Sequence, residues 1–373
     1  MNLPGDPMAP TRPALTKPLL ATAAITLAAA AAVLVWAFVA GIGRERPLGD
    51  GRDPRTYGFE LGTLPDDPGF AVSGQPRDFM PSLDGPERLR GDEIADYNRT
   101  HRRRPVVSAD RVVGVVIGGE ARAYPVPMLE AHEIVNDVLG GVPIAVSFSP
   151  LADAAVVFDR RVGDRTCEFA LSGLMLDSAH LLYDRVDRRK EAGSPSLWSP
   201  MRLRAVAGPI EGEELRAIPF VSLARWSDWL AAHPETTVAL GDEGSRLRDR
   251  RIDYTHELTR PGLTFPVAGI DAASMATFGE EDWRRLKAPA LAVRGVSGSW
   301  QVLDLEALRD GADERSLEFD GVAVRVRVGD DARSAVVLAD GESSEAGIVV
   351  IPCLRFAADR IVADRAPARR PDE

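Results

Sequence analysis

The sequence predicts an α+β fold, mostly β, built from two similar β-rich halves behind one N-terminal transmembrane helix. Three observations predict it: one long uncharged apolar run, short alternating segments punctuated by glycine, and an internal repeat.

The chain opens on a tail over residues 1–18. Leu19–Ile42 follows, with no charged residue and much Ala, Leu and Val. A helix rises about 1.5 Å per residue, so roughly 20 residues cross the hydrocarbon and this run is long enough. Pro18 suits a helix start and Trp36 an interface. Arg12 and Lys17 ahead of the run would also suit a secretory signal. The run is long for such a signal, however, and Phe38-Val39-Ala40 is a poor cleavage site, so an uncleaved anchor is expected. Arg44, Arg46, Arg52 and Arg55 follow the helix and, counted alone, would keep the domain inside. Long domains translocate regardless of such charge.

Gly43–Pro86, rich in Gly, Pro, Asp and Arg, is expected to be a linker, and residues 364–373 a charged, disordered tail. The folded domain is thus expected over residues 87–363.

Inside it lies the repeat. With Gly119 aligned to Gly298, Glu120–Leu129 faces Ser299–Leu308 without a gap. After one inserted residue, Gly141–Phe148 faces Gly321–Val328, and Val156–Phe158 faces Val336–Leu338. The halves span about 110–172 and 289–354. In the first, Val112–Ile117 and Ala121–Val126 are expected as a hairpin around Gly118-Gly119. Pro127–Leu139 is expected as a helix stopped by Gly140-Gly141, and Pro143–Phe148 with Ala154–Arg160 as a strand pair. Leu291–Val296, Trp300–Leu305, Val322–Val328 and Ala335–Ala339 take these parts in the second half. There Arg325 and Arg327 alternate with Val324, Val326 and Val328, giving one wet and one buried face. Between the halves Ser222–Leu230 is expected as a helix capped by Ser222. Trp226, Trp229 and Leu230 share a face of it, which suits packing better than an aromatic ligand platform.

A net charge of −11 over 373 residues argues against nucleic acid as a partner, because no basic face is available to neutralise phosphates. Two cysteines, Cys167 and Cys353, are too few for a disulfide framework or a thiolate zinc site. Buried free thiols are expected; a single disulfide between them is the alternative. There is no phosphate loop, dinucleotide fingerprint or His-Glu-x-x-His motif. The run His101–Arg104 suits a solvated loop.

The densest polar cluster is His132, Glu133, Asn136 and Asp137. On a helix, His132 would sit one turn from Asn136, and Glu133 one turn from Asp137. A histidine beside carboxylates can be a general base or a metal ligand. His132 also aligns with Met128, Val135 and Leu139, which suits a core-edge histidine equally well. Asp153, Asp177 and His180 could complete a nitrogen–oxygen metal site. Ser149 and Ser172 lack a nucleophile elbow, and Ser172-Gly173 suits a turn.

Several ordered motifs resemble one family. They are Gly118–Pro125, His132–Asp137, Gly140–Val146, Ala155–Asp159, Ser172–Leu174, Tyr183–Arg185 and Ser196–Ser199, with the Trp226/Trp229 pair before His233-Pro234. In these the chain is similar to the bacterial DUF3179 proteins, a domain of unknown function. The resemblance runs from about Asp66 to Phe356. It implies an exported or membrane-anchored protein, hence a domain on the extracytoplasmic side of the cytoplasmic membrane, anchored through Leu19–Ile42. The family pattern has Cys-Pro-Leu-Cys where this chain has Ser149-Pro150-Leu151-Ala152. A Cys-x-x-Cys pair can hold a soft metal or form a redox disulfide; serine and alanine can do neither. Asp177-Ser178-Ala179 departs from the pattern as well. No cofactor is therefore expected. The expected function is a non-catalytic binding or assembly module; the alternative is a metal-binding protein or redox enzyme that uses the His132 cluster.

Overall fold

Among the described residues, twenty-two strands and a set of short helices account for the fold. The computed structural model describes residues 48–102, 104–185, 194–241, 254–309, 314–339 and 347–365, and Ala31 before them. Apart from Ala31, the expected anchor Leu19–Ile42 lies outside the described residues, as do residues 366–373. Among the described residues no helix is long and apolar enough to cross a membrane.

Strands β1 (Phe70–Val72), β2 (Leu83–Asp84) and β3 (Arg88–Arg90) precede a helix at Ile94–Thr100. The hairpin β4 (Arg111–Ile117) and β5 (Glu120–Pro125) leads through the helix Val126–His132 to a meander of β6 (Ile134–Leu139), β7 (Val142–Ser149) and β8 (Ala154–Asp159). A ribbon of β9 (Arg161–Val162) and β10 (Arg165–Thr166) comes next. It is followed by β11 (Phe169–Leu176), β12 (Ala179–Asp184), β13 (Leu197–Ser199) and β14 (Arg204–Ala207). Then come β15 (Ser222–Arg225), the helix Trp226–Ala232 and β16 (Thr237–Ala239). Helices Thr255–Thr259, Ala272–Thr277 and Glu280–Leu286 lead to β17 (Pro289–Arg294), β18 (Trp300–Asp304) and the helix Leu305–Arg309. The chain ends on β19 (Arg315–Phe319), β20 (Val322–Val328), β21 (Ala335–Ala339), β22 (Val349–Leu354) and the helix Arg355–Arg365.

The largest sheet has the order β19-β20-β21-β15-β4-β5-β16-β3. The others are β1-β11-β12-β13-β14, β2-β6-β7-β8, β18-β17-β22 and the ribbon β10-β9. Pairing is antiparallel except where β16 meets β5 and β2 meets β6. The fold is α+β and mostly β, as expected.

Alternation decides which face each strand buries. Val113 and Val115 on β4 and Tyr124 on β5 join Val135, Ile144, Val146 and Phe148 in one core between two sheets. Val112 and Ala123 point the other way, into a second core with Trp226 and Trp229. Each fully buried aliphatic side chain of this kind contributes about 1.5–3 kcal/mol. The tryptophans pack as expected. The hairpin turn Gly118-Gly119 has φ +58 and +82, which glycine adopts without a Cβ penalty.

Three expectations need correction. The helix expected over Pro127–Leu139 ends at His132, because Glu133 turns into the left-handed region (φ 56). Ile134–Leu139, with three β-branched residues, pairs instead with β7, Ile134 opposite Ser147 and Asn136 opposite Ala145. His132 and Asn136 are therefore not one helical turn apart, nor are Glu133 and Asp137. The helix expected over Ser222–Leu230 begins only at Trp226. Ser222–Arg225 is strand, held between β4 and β21, and Ser222 Oγ accepts the Val337 N–H (2.9 Å) rather than capping a helix.

The third concerns the domain limits. The folded unit begins at Leu48, not near residue 87. Tyr57 is fully buried and donates its hydroxyl to the Gln75 carbonyl, and β1 pairs with β11. At the other end Asp364 belongs to the last helix and accepts two hydrogen bonds from Arg204 (2.7 and 2.9 Å).

Candidate functional site

A cavity of about 500 Å³ opens where the end of β7 meets the β11–β12 hairpin. Its apolar wall includes Phe79, Met80, Leu151, Leu171, Leu174 and Phe265; its polar wall includes Glu133, Ser149, His180 and Tyr254. Such a mixture of apolar lining and a few converging polar groups is typical of small-molecule sites.

Local structure aims these groups. Glu133 closes the helix Val126–His132 in a left-handed conformation, which a non-glycine residue adopts only when its surroundings hold it there. Its backbone is held on both sides: its N–H bonds the Leu129 carbonyl (2.6 Å) and its carbonyl accepts the Phe148 N–H (2.9 Å). The β11–β12 register shifts between Leu171 and Met175. Ser172 secures that bulge, donating to the Leu181 carbonyl (2.6 Å) and accepting the Leu174 N–H (3.1 Å). Gly173, at φ +80, lets the bulge lie against Tyr57 and Gln75; a Cβ there would fall 2.6 Å from the Tyr57 ring. The bulge places Leu171, Gly173, Leu174 and Met175 on the cavity wall.

A buried polar chain crosses the polar end. His180 Nδ1 meets Glu133 Oε2 at 3.0 Å, and His180 Nε2 meets Ser147 Oγ at 2.8 Å. The His180 N–H also donates to Ser149 Oγ (3.2 Å). Ser147 and Ser149 are two apart on β7 and so share a face. The Tyr254 phenol shares this wall of the cavity and interacts electrostatically with Glu133. Burial, then the charges of Glu133 and Glu130, push this phenol up, so it stays protonated.

Order acid–histidine–serine invites comparison with a hydrolytic triad. The serine in the chain, Ser147, is 2% exposed and is not among the residues lining the cavity. Ser149 does line the cavity, but it meets the His180 backbone, not the ring. Both imidazole nitrogens are occupied, by Glu133 and Ser147, so the ring meets a substrate only through Ser147, which does not line the cavity.

Of the candidate residues, Glu133, His180 and Ser149 reach the cavity and the others do not line it. His132 is tied through Nδ1 to the Pro81 carbonyl (2.8 Å). Asn136 bridges strands, donating to Asp84 (2.7 Å) and the Phe169 carbonyl (2.9 Å) and accepting the Phe169 N–H (3.0 Å). Asp137 points to the opposite face of β6, towards Arg122 (2.6 Å) and Tyr124 (2.8 Å). Asp153 takes a bidentate bond from Arg111 (both 2.7 Å), with Arg333 at 3.5 Å. Asp177 holds Arg202 (2.8 Å), Arg360 (3.3 Å) and the Ala268 N–H (2.8 Å). Ser172 holds the bulge. His132, Asp137, Asp153 and Asp177 are thus spread over separate ion pairs and backbone bonds. Among the described residues no three His, Cys, Asp or Glu side chains converge as a metal-ligating set.

Cys167 and Cys353 are both free and buried, without a disulfide between them. Burial pushes the Cys353 thiol well up, away from the reactive thiolate.

Ser147 and Tyr254 were not among the sequence candidates. The spacing of Ser147 and Ser149 on an alternating strand was a usable signal for the first. Nothing local marks Tyr254, which arrives from more than a hundred residues away. The segment Ser149–Ala152, where the family pattern carries its cysteines, forms a 3-10 turn (Pro150–Ala152), and Ser149, Pro150 and Leu151 line the cavity.

A family model described as protein of unknown function (DUF3179) matches residues 77–352. No curated protein and no solved structure matches the chain.

Proposed function

The chain belongs to the DUF3179 family of proteins of unknown function, and from that premise we propose a binding module that holds a small ligand in the cavity at Glu133 and His180 without turning it over. The observation that carries this reading is that Ser147, the serine on the His180 ring, is buried and does not line the cavity. The setting is a cytoplasmic membrane, with the domain on the extracytoplasmic side. The uncharged run Leu19–Ile42 supports the anchor, and the resemblance to exported family members supports the orientation.

The test is a thermal-shift screen of the full chain with small amphipathic molecules of either charge, repeated on Leu151→Trp, which fills the cavity. Ligands that stabilise the native chain but not the variant support the reading. A screen in which Leu151→Trp behaves like the native chain would sink it. So would hydrolysis of an ester or peptide that vanishes in Ser147→Ala.

We also read residues 110–172 and 289–354 as copies of one unit. Supporting this, β4 to β8 and β17 to β21 run in the same order, strand–strand–helix–strand–strand–strand. The pairing partners correspond too. β15, followed by a helix, pairs with β4 and reaches β21. β22, also followed by a helix, pairs with β17 and lies beside β8. Each hairpin is thus linked, through one added strand, to the other copy's meander. At the repeat-equivalent of Ser147 stands Arg327, paired with Glu314 (2.9 Å), so the polar chain belongs to the first copy.

A further inference from the structure

The walls of the cavity also specify the charge of its ligand. We propose that the cavity takes a protonated amine on an apolar body, with the ammonium group against Glu133; this rests on the reading of the cavity as a binding site. Among the described residues that line it there is no Lys or Arg, while Glu133 and Glu257 both do. Glu257 is engaged by Arg260 (2.9 and 2.6 Å) and Thr264 (2.5 Å). Glu133 meets His180 and interacts with the Tyr254 phenol, which leaves it acceptor capacity, since a carboxylate offers about four lone-pair positions. The tyrosine brings no positive charge.

Three ligand classes then differ in what they meet. An anion would be brought beside a buried carboxylate, with no lining Lys or Arg to balance it. A neutral alcohol can hydrogen-bond Glu133 but brings no positive charge to it. An ammonium group makes such a bond and also brings a full positive charge to the carboxylate, adding a direct Coulomb attraction that an alcohol lacks. The rings of Phe79, Phe265 and Tyr254 line the same space, and a cation is attracted to aromatic faces. Met80 and Met175 line it as well, and their flexible thioethers adapt to an apolar body of varied shape. The left-handed backbone at Glu133, braced at both its N–H and its carbonyl, holds the carboxylate in place before any ligand arrives.

The test uses three probes that share one body: phenylpropylamine, phenylpropanol and phenylpropionate, each titrated calorimetrically into the full chain. The amine is expected to bind at least about ten-fold more tightly than the alcohol, which is about 1.4 kcal/mol, and the carboxylate most weakly. Glu133→Gln is expected to weaken binding of the amine by more than it weakens binding of the alcohol, so that the advantage of the amine is erased. Equal binding of all three, abolished by Leu151→Trp, overturns the charge preference and leaves the binding site standing. Preference for the carboxylate, or no binding of any probe, also overturns it. Should Glu133→Gln fail to fold, the ratio of amine to carboxylate affinity on the native chain decides the matter alone.

Discussion

Gly114 lies directly beneath the indole of Trp229: a Cβ on it would stand 2.3 Å from the ring. The ring cannot withdraw easily, because it is fully buried and its Nε1–H donates to Thr236 Oγ1 (2.9 Å). Gly114→Ala is therefore expected to destabilise the fold by about 1–3 kcal/mol through overpacking. Urea unfolding of the single variants and of the pair Gly114→Ala/Trp229→Phe checks this. The smaller ring should recover part of the loss; strict additivity would refute the contact as its cause.

Arg111 and Asp153 form a largely buried bidentate pair. Arg111→Ala leaves the buried Asp153 carboxylate only the more distant Arg333 (3.5 Å) and should cost about 3 kcal/mol, the low end for a buried pair broken on one side. Arg111→Met with Asp153→Asn removes both charges, and asparagine tolerates the left-handed backbone at this position (φ 45). The double variant should therefore be more stable than the single one. The comparison is of denaturant midpoints, and a double variant weaker than Arg111→Ala would contradict the argument.

Asp159 makes the fold acid-sensitive. Its burial opposes ionisation, but hydrogen bonds from the Arg161 side chain and N–H and from Arg216 outweigh it and hold the carboxyl down to about 2. The group binds protons more weakly when folded, so it stabilises the fold above the unfolded carboxyl range near pH 4. That contribution is lost as pH falls towards 2. Both arginine partners are substantially exposed, which reduces the contribution to about 1–2 kcal/mol. The gap in stability between the native chain and Asp159→Asn should close between about pH 4 and pH 2. A gap constant across that window would exclude Asp159 as the source.

Restoring the family cysteines tests what Ser149-Pro150-Leu151-Ala152 has lost. Position 149 lines the cavity beside His180, and position 152 lies at the end of the same tight turn. Ser149→Cys with Ala152→Cys is expected to retain a soft metal ion that the native chain does not retain. Mass-spectrometric metal analysis of both chains reads the result, and a double variant as metal-free as the native chain would point to a thiol role without metal.

The elements legible in the sequence are those whose cause is local. Gly118-Gly119 makes its turn wherever it stands, and Arg325 and Arg327 alternate with valines whatever lies opposite. Ile134–Leu139 was misread because His132, Val135 and Leu139 also fit a helical stripe, and only pairing with β7 decides against it. The candidate site suffered more. Asn136 bonds Phe169, Asp137 bonds Arg122, and Asp153 bonds Arg111; each role follows from a strand register that no single segment contains. Glu133 was found, but by adjacency to His132 rather than by its link to His180. Tyr254 was invisible until the chain folded back over the cavity.

The order of strands in the largest sheet bears on how the protein is made. β4 and β15 leave the ribosome well before β21, the strand that covers the far edge of β15. During synthesis β15 therefore carries an open edge that only a late stretch of chain can close. A nascent or truncated chain ending before β21 is a sticky intermediate rather than a finished smaller protein. Its fate in the cell falls to chaperones and proteases until the final strands arrive.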